Sequence, residues 1–413
     1  MFRKNLVCCL VCIVFLALAA FSPAPKIQPI PASLLSQPQT VTVVFLLADS
    51  QSDQGWNAAH FRGILELKTL GQVIPTTGDN FDVKLHDGKM LSVKIVENVG
   101  YNDADIERTT RSVIAKFKPK LIFGTWFNAA GTFAKLSKKY PDVLFEHCSG
   151  YPMIESNGKN LSTYFIRQEQ GDYVAGYVVG LLGQSKVGLV GTFPISEPVR
   201  AVNAFTLGLQ RGLTESGRKA ADAEVNTVWL GTWLDPVKEA SAANSFLGQG
   251  YNVIRQLSDT PYASQTACEK GKGVIAVGYG TDVSNSAKCA VVTNEWAWGS
   301  YYVAEVKAVL DGKWKAQDWW GGFPEGVVQM SGWNVPADVK VKAEKVVSDF
   351  TSGKKTFCGP IEGYGKDGPI TIPAGKCMGD MGELTMQFFV KGVKSELPSK
   401  PENGYELYLE STK

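Results

Sequence analysis

Short apolar runs alternate with helical apolar periods along most of the chain. Val41 to Ala48 (VTVVFLLA) is the first run, and its lack of polar alternation fits a parallel strand covered on both faces. Asn57 to Leu70 then carries a helical period that stops at Gly71. The same strand-then-helix pair recurs at Leu91 to Glu97 with Asp103 to Phe117, and at Leu121 to Gly124 with Ala130 to Lys139. Val143 to His147 is a further strand. The alternation resumes with a helix over Asp172 to Leu182, a strand over Val187 to Val190 and a helix over Val199 to Leu213. Val225 to Leu230, Pro236 to Leu247 and Val253 to Leu257 continue it, and Val274 to Val277 and Val291 to Val292 close it. Strands and helices in strict alternation define parallel sheets with right-handed crossovers. About nine strands are many for one sheet. The Gly-, Pro- and Asn-rich stretch Gly150 to Leu161 reads as a crossing between two lobes. Ligands in such folds sit outside the carboxyl ends of the strands, so two facing lobes predict one hinged cleft.

The N-terminus follows a different pattern. Arg3 and Lys4 precede an uninterrupted apolar run from Leu6 to Leu18, and Ala17-Leu18-Ala19 ends it as a small-x-small cleavage signal. The run is shorter than the ~20 residues of a membrane span. Residues 1–24 are expected to be a signal peptide and 25–40 a proline-rich linker. Cys8, Cys9 and Cys12 lie inside the apolar run, so no lipid-bearing Cys follows it. The expected product is periplasmic or secreted, touching a membrane only through a partner.

A chain of 413 residues holds two or three domains at ~150 residues each. Lys plus Arg is 42 and Asp plus Glu is 40, a balance that argues against a broad basic surface for nucleic acid. After cleavage Cys148, Cys268, Cys289, Cys358 and Cys377 remain. Export permits disulfides, and closure of the shortest local loops pairs Cys268 with Cys289 and Cys358 with Cys377, one of three connectivities open to four Cys. Cys148, the odd one, reads as a small buried apolar residue.

Enzyme signatures are absent from the sequence: there is no Gly-x-Gly-x-x-Gly joining a strand to a helix, no phosphate-loop motif, no His-Glu-x-x-His and no Gly-x-Ser-x-Gly. The three His do not cluster with Cys or carboxylates at metal-ligand spacing, and no cofactor or metal is expected. Asp103 and Asp105 are the nearest candidate pair for a hydrolase, and a solvated helix start explains them. What marks the strand ends is aromatic and polar residues together. The turns carry Asp53, Trp56 and Asn57, then Trp126, then Trp233, then Asp282, then Trp296 and Trp298. Rings beside carboxylates and amides suit a flat heteroaromatic solute, the rings stacking while the polar groups read its edge. Each Trp taken alone suits core packing equally well.

Asp53-Gln54-Gly55-Trp56-Asn57, Phe145 to Tyr151 (FEHCSGY) and Arg167 to Gly176 (RQEQGDYVAG) resemble the basic membrane protein family, substrate-binding components of ABC importers similar to purine-nucleoside receptor lipoproteins. The resemblance runs from about Val41 to at least Gly312, and the tail with Trp319-Trp320-Gly321-Gly322 looks like one bacterial subgroup. It implies a type I periplasmic-binding-protein fold: two Rossmann-like α/β lobes around a hinged cleft, with three interlobe crossings. The lobes are expected at 41–161 plus 290–326 and at 162–289 plus 327–395, with a tail at 396–413. The resemblance also implies a monomer that gives a purine to an ABC permease. Under it Asp53 and Asn57 match base-reading residues, Trp56 and Phe205 match stacking aromatics, and Asp282 matches an Asp that binds ribose. Trp126, Trp233 and Glu169 are expected to line the same cleft. The nucleoside binders carry a Lys where this chain has Asn294-Glu295-Trp296-Ala297-Trp298. Bulky rings there shrink the sugar pocket, so the expected ligand is a purine base or nucleoside with an adenine-like base favoured; the alternatives are a purine-sensing module without a permease and a binder of another heteroaromatic solute.

Overall fold

The computed structural model describes residues 39–149, 159–396 and 409–411. The expected leader, almost all of the linker, most of the Gly150 to Leu161 stretch and most of the tail lie outside the described residues. In chain order the elements begin β1 (Thr40–Leu46), α1 (Trp56–Leu65), β2 (Gly71–Pro75), β3 (Phe81–Leu85), β4 (Met90–Val96), α2 (Asp103–Phe117), β5 (Leu121–Gly124), α3 (Ala130–Lys139), β6 (Leu144–Cys148) and β7 (Leu161–Ile166). They continue α4 (Gln168–Leu181), β8 (Lys186–Gly191), α5 (Ser196–Glu215), β9 (Glu224–Trp229), α6 (Pro236–Gly248), β10 (Val253–Leu257), α7 (Tyr262–Glu269), β11 (Ile275–Gly280) and β12 (Ala290–Trp296). Last come α8 (Gly299–Leu310), β13 (Asp318–Gly321), β14 (Val328–Ser331), α9 (Ala337–Thr351), β15 (Ile361–Gly365), β16 (Gly368–Ile372), β17 (Lys376–Met378), α10 (Asp380–Leu384), β18 (Phe389–Val390), β19 (Val393–Lys394) and β20 (Leu409–Ser411).

Two large sheets organise them. One has eight strands in the order β13-β7-β6-β5-β1-β4-β3-β2, the other seven in the order β14-β12-β11-β10-β8-β9-β19. The first is parallel from β13 to β4 and ends in the antiparallel β3 and β2. The second is parallel except for β14. The apolar run at the start of the chain becomes β1, central in its sheet, with Val43 to Leu46 fully buried. The apolar strands predicted from pattern alone fall on sheet strands. The β2–β3 hairpin, β7 and the elements beyond β12 carry no such run or alternate with polar residues, so the pattern left them unread.

Each sheet takes one strand from the far side of an expected boundary. Leu161–Ile166 pairs with β6 in the first sheet, and Ala290–Trp296 pairs with β11 in the second. The boundaries expected at 161/162 and 289/290 therefore each move by one strand. The chain crosses between lobes after β7, after β12 and between β13 and β14. These crossings are bonded to one another: the Asn294 amide donates to the Gln168 carbonyl at 3.0 Å, and the Phe323 N–H donates to Gln170 Oε1 at 2.9 Å.

Helices α4 and α5 pack closely because glycines meet backbone. A Cβ on Gly176 would stand 1.9 Å from the Phe205 carbonyl oxygen, and one on Gly208 1.9 Å from that of Tyr173. The structure pairs Cys268 with Cys289 and Cys358 with Cys377, and leaves Cys148 a buried free thiol. Among the described residues no helix is long and apolar enough to cross a membrane.

Candidate functional site

In each sheet the strand order reverses about its first strand: β1 sits between β5 and β4, and β8 between β10 and β9. Side chains after the carboxyl ends of these strands converge on one cavity, where the rule for open α/β sheets places a ligand. From the first lobe come Ala48, Trp56, Tyr101, Trp126, Phe127, Asn128 and Ser149; from the second come Thr192, Glu197, Pro198, Trp233, Leu257, Asp259 and Tyr279. The space they enclose is about 480 Å3, counting the solvent at its mouth.

The lobes are stitched together beside it. The Trp56 N–H donates to the Asp259 carbonyl at 3.2 Å, and the Thr281 hydroxyl donates to the Gln54 carbonyl. Arg62 pairs with Glu295 at 2.9 Å. Gly55 has no side chain because none fits: a Cβ would lie 1.5 Å from the Asp259 carbonyl oxygen.

The cavity is acidic. Its lining holds two carboxylates, Glu197 and Asp259, and no Lys, Arg or His. Glu197 accepts from the Gln168 amide at 2.6 Å, and the Tyr279 hydroxyl donates to Gln168 Oε1 at 2.8 Å, so the acid is held in place. No protein group donates to the Asp259 carboxylate among the described residues. Burial, then the charges of Glu197, Asp53 and Glu239, push its pKa well above the usual carboxylate range. Burial raises the Glu197 carboxyl too. Two polar atoms of lining residues are also buried without a partner, Trp126 Nε1 and Asn128 Oδ1. Buried polar atoms ordinarily find partners, so orphans in a cavity wall mark places where a bound molecule would bond. Around them stand the rings of Trp56, Trp126, Phe127, Trp233, Tyr101 and Tyr279, with Phe127 42% and Tyr101 36% exposed at the mouth.

Of the residues singled out from sequence, Trp56, Trp126 and Trp233 line this cavity. Trp56 is anchored as well: its Nε1 donates to the Thr125 carbonyl at 2.8 Å, and its ring meets Trp296 edge-on at 4.8 Å. The others are placed differently. Asp53 is not among the residues that line the cavity. Its carboxylate accepts the backbone N–H groups of Gly55, Asn57 and Ala58 and the Asn57 amide, all at 2.8–2.9 Å, and so caps α1. Asn57 is thereby turned into the fold. Phe205 is fully buried on α5, with the Arg255 guanidinium 5.8 Å from its ring, and lines no wall of the cavity. Glu169 is buried in an ion pair with Arg200 at 3.0 Å. Asp282 is exposed and accepts the Ser284 N–H at 2.9 Å. Trp296 packs edge-on against Tyr279 at 4.6 Å, and Trp298 stacks on His60 at 4.5 Å; both are core beneath the cleft floor.

Asp259 and Glu197 escaped the sequence reading. Asp259 follows β10 in Leu257-Ser258-Asp259-Thr260 with no aromatic beside it, and Glu197 opens α5, where an acid reads as helix-start charge. The strand-end rule alone, applied to β10, would have found Asp259.

Two lobes of parallel sheet, three crossings and a cavity at facing strand ends define a binding protein of the type I periplasmic class. Residues 40–361 match the family described as ABC transporter substrate-binding protein, PnrA-like, and the chain belongs to that family. It is 35% identical over 367 residues to a purine-binding protein of Brucella abortus (strain 2308), covering 87% of this chain and 95% of that one. It is 27% identical over 372 residues to a protein of Haloferax volcanii assigned as an ABC transporter glucose-binding protein, covering 88% of this chain and 83% of the other. The fold is similar to solved solute-binding proteins of ABC transporter systems. One is from Conexibacter woesei DSM 14684, with TM-score 0.57, 18% identity, and 76% of this chain and 97% of that chain covered. Another is from Aeropyrum pernix K1, with TM-score 0.60, 14% identity, and 76% and 92% covered. The family and these curated relatives are binding proteins.

Proposed function

We propose that this protein is exported, captures a purine base in the interlobe cavity as a monomer, and delivers it to an ABC permease. Adenine is the favoured base. The observation that carries this is the pair of carboxylates in a ring-lined cavity without a cation. Asp259, with no donor of its own, suits a solute that presents N–H groups, because such donors would favour the ionised, acceptor-only carboxylate that burial opposes. Adenine offers its amino group and a ring N–H along its edges. Trp126 Nε1 suits a ring nitrogen of the base. Trp233 and Trp126 supply the flat faces. The purine-binding relative supports the same ligand class.

Calorimetry with adenine, guanine, adenosine, guanosine, riboflavin and glucose tests the reading. Adenine is expected to bind one to one and to be recovered unchanged. Asp259→Asn keeps the size and turns one acceptor into a donor. It is expected to weaken adenine by about ten- to a hundredfold, the worth of a charge-assisted hydrogen bond of ~1.5–3 kcal/mol. Heat from glucose alone, or product forming over time, would overturn the proposal. Uptake of labelled adenine by cells with and without this chain tests delivery.

A further inference from the structure

A second chamber opens beside the first. It is lined by Phe127, Ser149 and Glu197, which it shares with the first, and by Phe165, Ile195, Ser196, Arg200, Leu384 and Gln387. Its space is about 720 Å3, again counting solvent at its mouth, which is larger than that of the first. A base held between Trp126, Asp259 and Glu197 would leave this space beside it.

The chamber's chemistry differs from its neighbour's. Phe127, Phe165, Ile195 and Leu384 give it mostly carbon walls. Its single cation is Arg200, 1% exposed. The guanidinium is nearly used up: Nε donates to Glu169 at 3.0 Å and Nη1 to the Glu383 carbonyl at 3.1 Å. Nη2 is buried and without a partner. Glu169 cancels the charge of Arg200, and Glu197 adds a negative one to the wall. A phosphate or carboxylate would therefore meet no net positive charge here. A ribosyl group would set some of its hydroxyls against the four carbon side chains, where a polar group without a partner costs free energy.

Part of this wall also lies beyond the family's matched region. Residues 40–361 carry the match, whereas Leu384 and Gln387 belong to the following segment. That segment is bound tightly to α5: the Asn203 amide donates to the Phe388 carbonyl at 2.8 Å, and its Oδ1 accepts the Val390 N–H at 3.0 Å. Arg167, at the first crossing, pairs with Asp380 at 2.7 Å.

We infer that the protein takes a purine carrying a neutral, mainly apolar substituent with one hydrogen-bond acceptor near its end, the ring in the first chamber and the substituent in the second. This rests on the purine reading of the first chamber. Arg200 Nη2 is the donor that the acceptor would meet.

Calorimetry with adenine, adenosine, N6-(4-hydroxybutyl)adenine and 9-(4-hydroxybutyl)adenine tests it, the last two covering two points of attachment. One hydroxybutyl isomer is expected to bind at least tenfold more tightly than adenine. Leu384→Trp, which fills the chamber from a half-buried position, is expected to abolish that gain and to leave adenine within twofold of the parent. Ile195→Phe, from the residue before α5, repeats the test should the first variant fail to fold. The inference is overturned if adenine binds and neither isomer gains, if adenosine binds more tightly than both, or if both filled variants keep the gain. Binding by none of these purines overturns the purine reading and this inference with it.

Discussion

Which rings belong to the site and which to the core is decided by what each edge touches. Trp233 is half-buried, meets Phe193 edge-on at 4.9 Å and lines the cavity. Trp233→Ala is expected to weaken adenine by roughly 2 kcal/mol, as for a central anchor, and to leave the ligand-free melting temperature nearly unmoved. Trp298, fully buried against His60, should do the reverse: its truncation costs about 3–5 kcal/mol of fold stability. Calorimetry and thermal melts on the two variants separate these outcomes. A second residue-scale expectation concerns Glu146, which lines neither chamber. It accepts from the Tyr301 hydroxyl at 2.8 Å and from Trp314 Nε1 at 2.7 Å. Burial, and then the charge of Glu305, pushes its pKa up to about 8. The folded protein thus keeps a proton that the unfolded chain gives up near 4.5, the ordinary glutamate value. Between those pH values the folded state binds more protons, so stability falls as pH rises. Glu146→Gln should flatten that fall, read as melting temperature against pH. The sequence showed at this scale which strand ends carry rings, and three of the Trp it flagged do line the cavity. It did not show that Asp53 spends its carboxylate on helix N–H groups, because capping and ligand reading ask for the same residue at the same place.

At the scale of elements, α1 and the turn after β10 set how closely the lobes approach. Gly55 lies directly against the Asp259 carbonyl, and the lack of space there constrains it. Gly55→Ala would drive a methyl group into the Asp259 carbonyl and hold the lobes apart. The expected result is at least a tenfold loss of adenine affinity, with solution scattering showing no compaction when adenine is added. Strands buried on both faces were legible because continuous apolar runs have few other uses. Strand β7, at the first crossing, reads Leu-Ser-Thr-Tyr-Phe-Ile, and the chain just before it holds Gly, Pro and Asn. Its pairing with β6 is a tertiary choice that local pattern does not encode, and the expected lobe boundary fell on the wrong side of it. The same holds for β12, whose apolar start predicts a strand but not a sheet. The two local loops that the Cys spacing suggested are those the structure closes, at sequence separations of 21 and 19.

For the whole molecule, the second sheet gains its last edge strand very late. Val393–Lys394 adds to β9 beside the Glu224–Trp229 edge, and Gly392 sits where a side chain would crowd the Gln210 amide. The first sheet likewise waits for Asp318–Gly321 to reach β7. Neither lobe is therefore a contiguous stretch of chain, and neither can close its sheet while synthesis is still at the second crossing. Pairings so distant in sequence are slow to form. A nascent chain with its sheets incomplete stays unfolded longer, which is the condition in which a polypeptide can be threaded across a membrane. It also leaves the β9 edge open to pairing with other chains until residue 394 arrives. The order in which the lobes are assembled thus keeps both sheets from closing until β13 and β19 have been made.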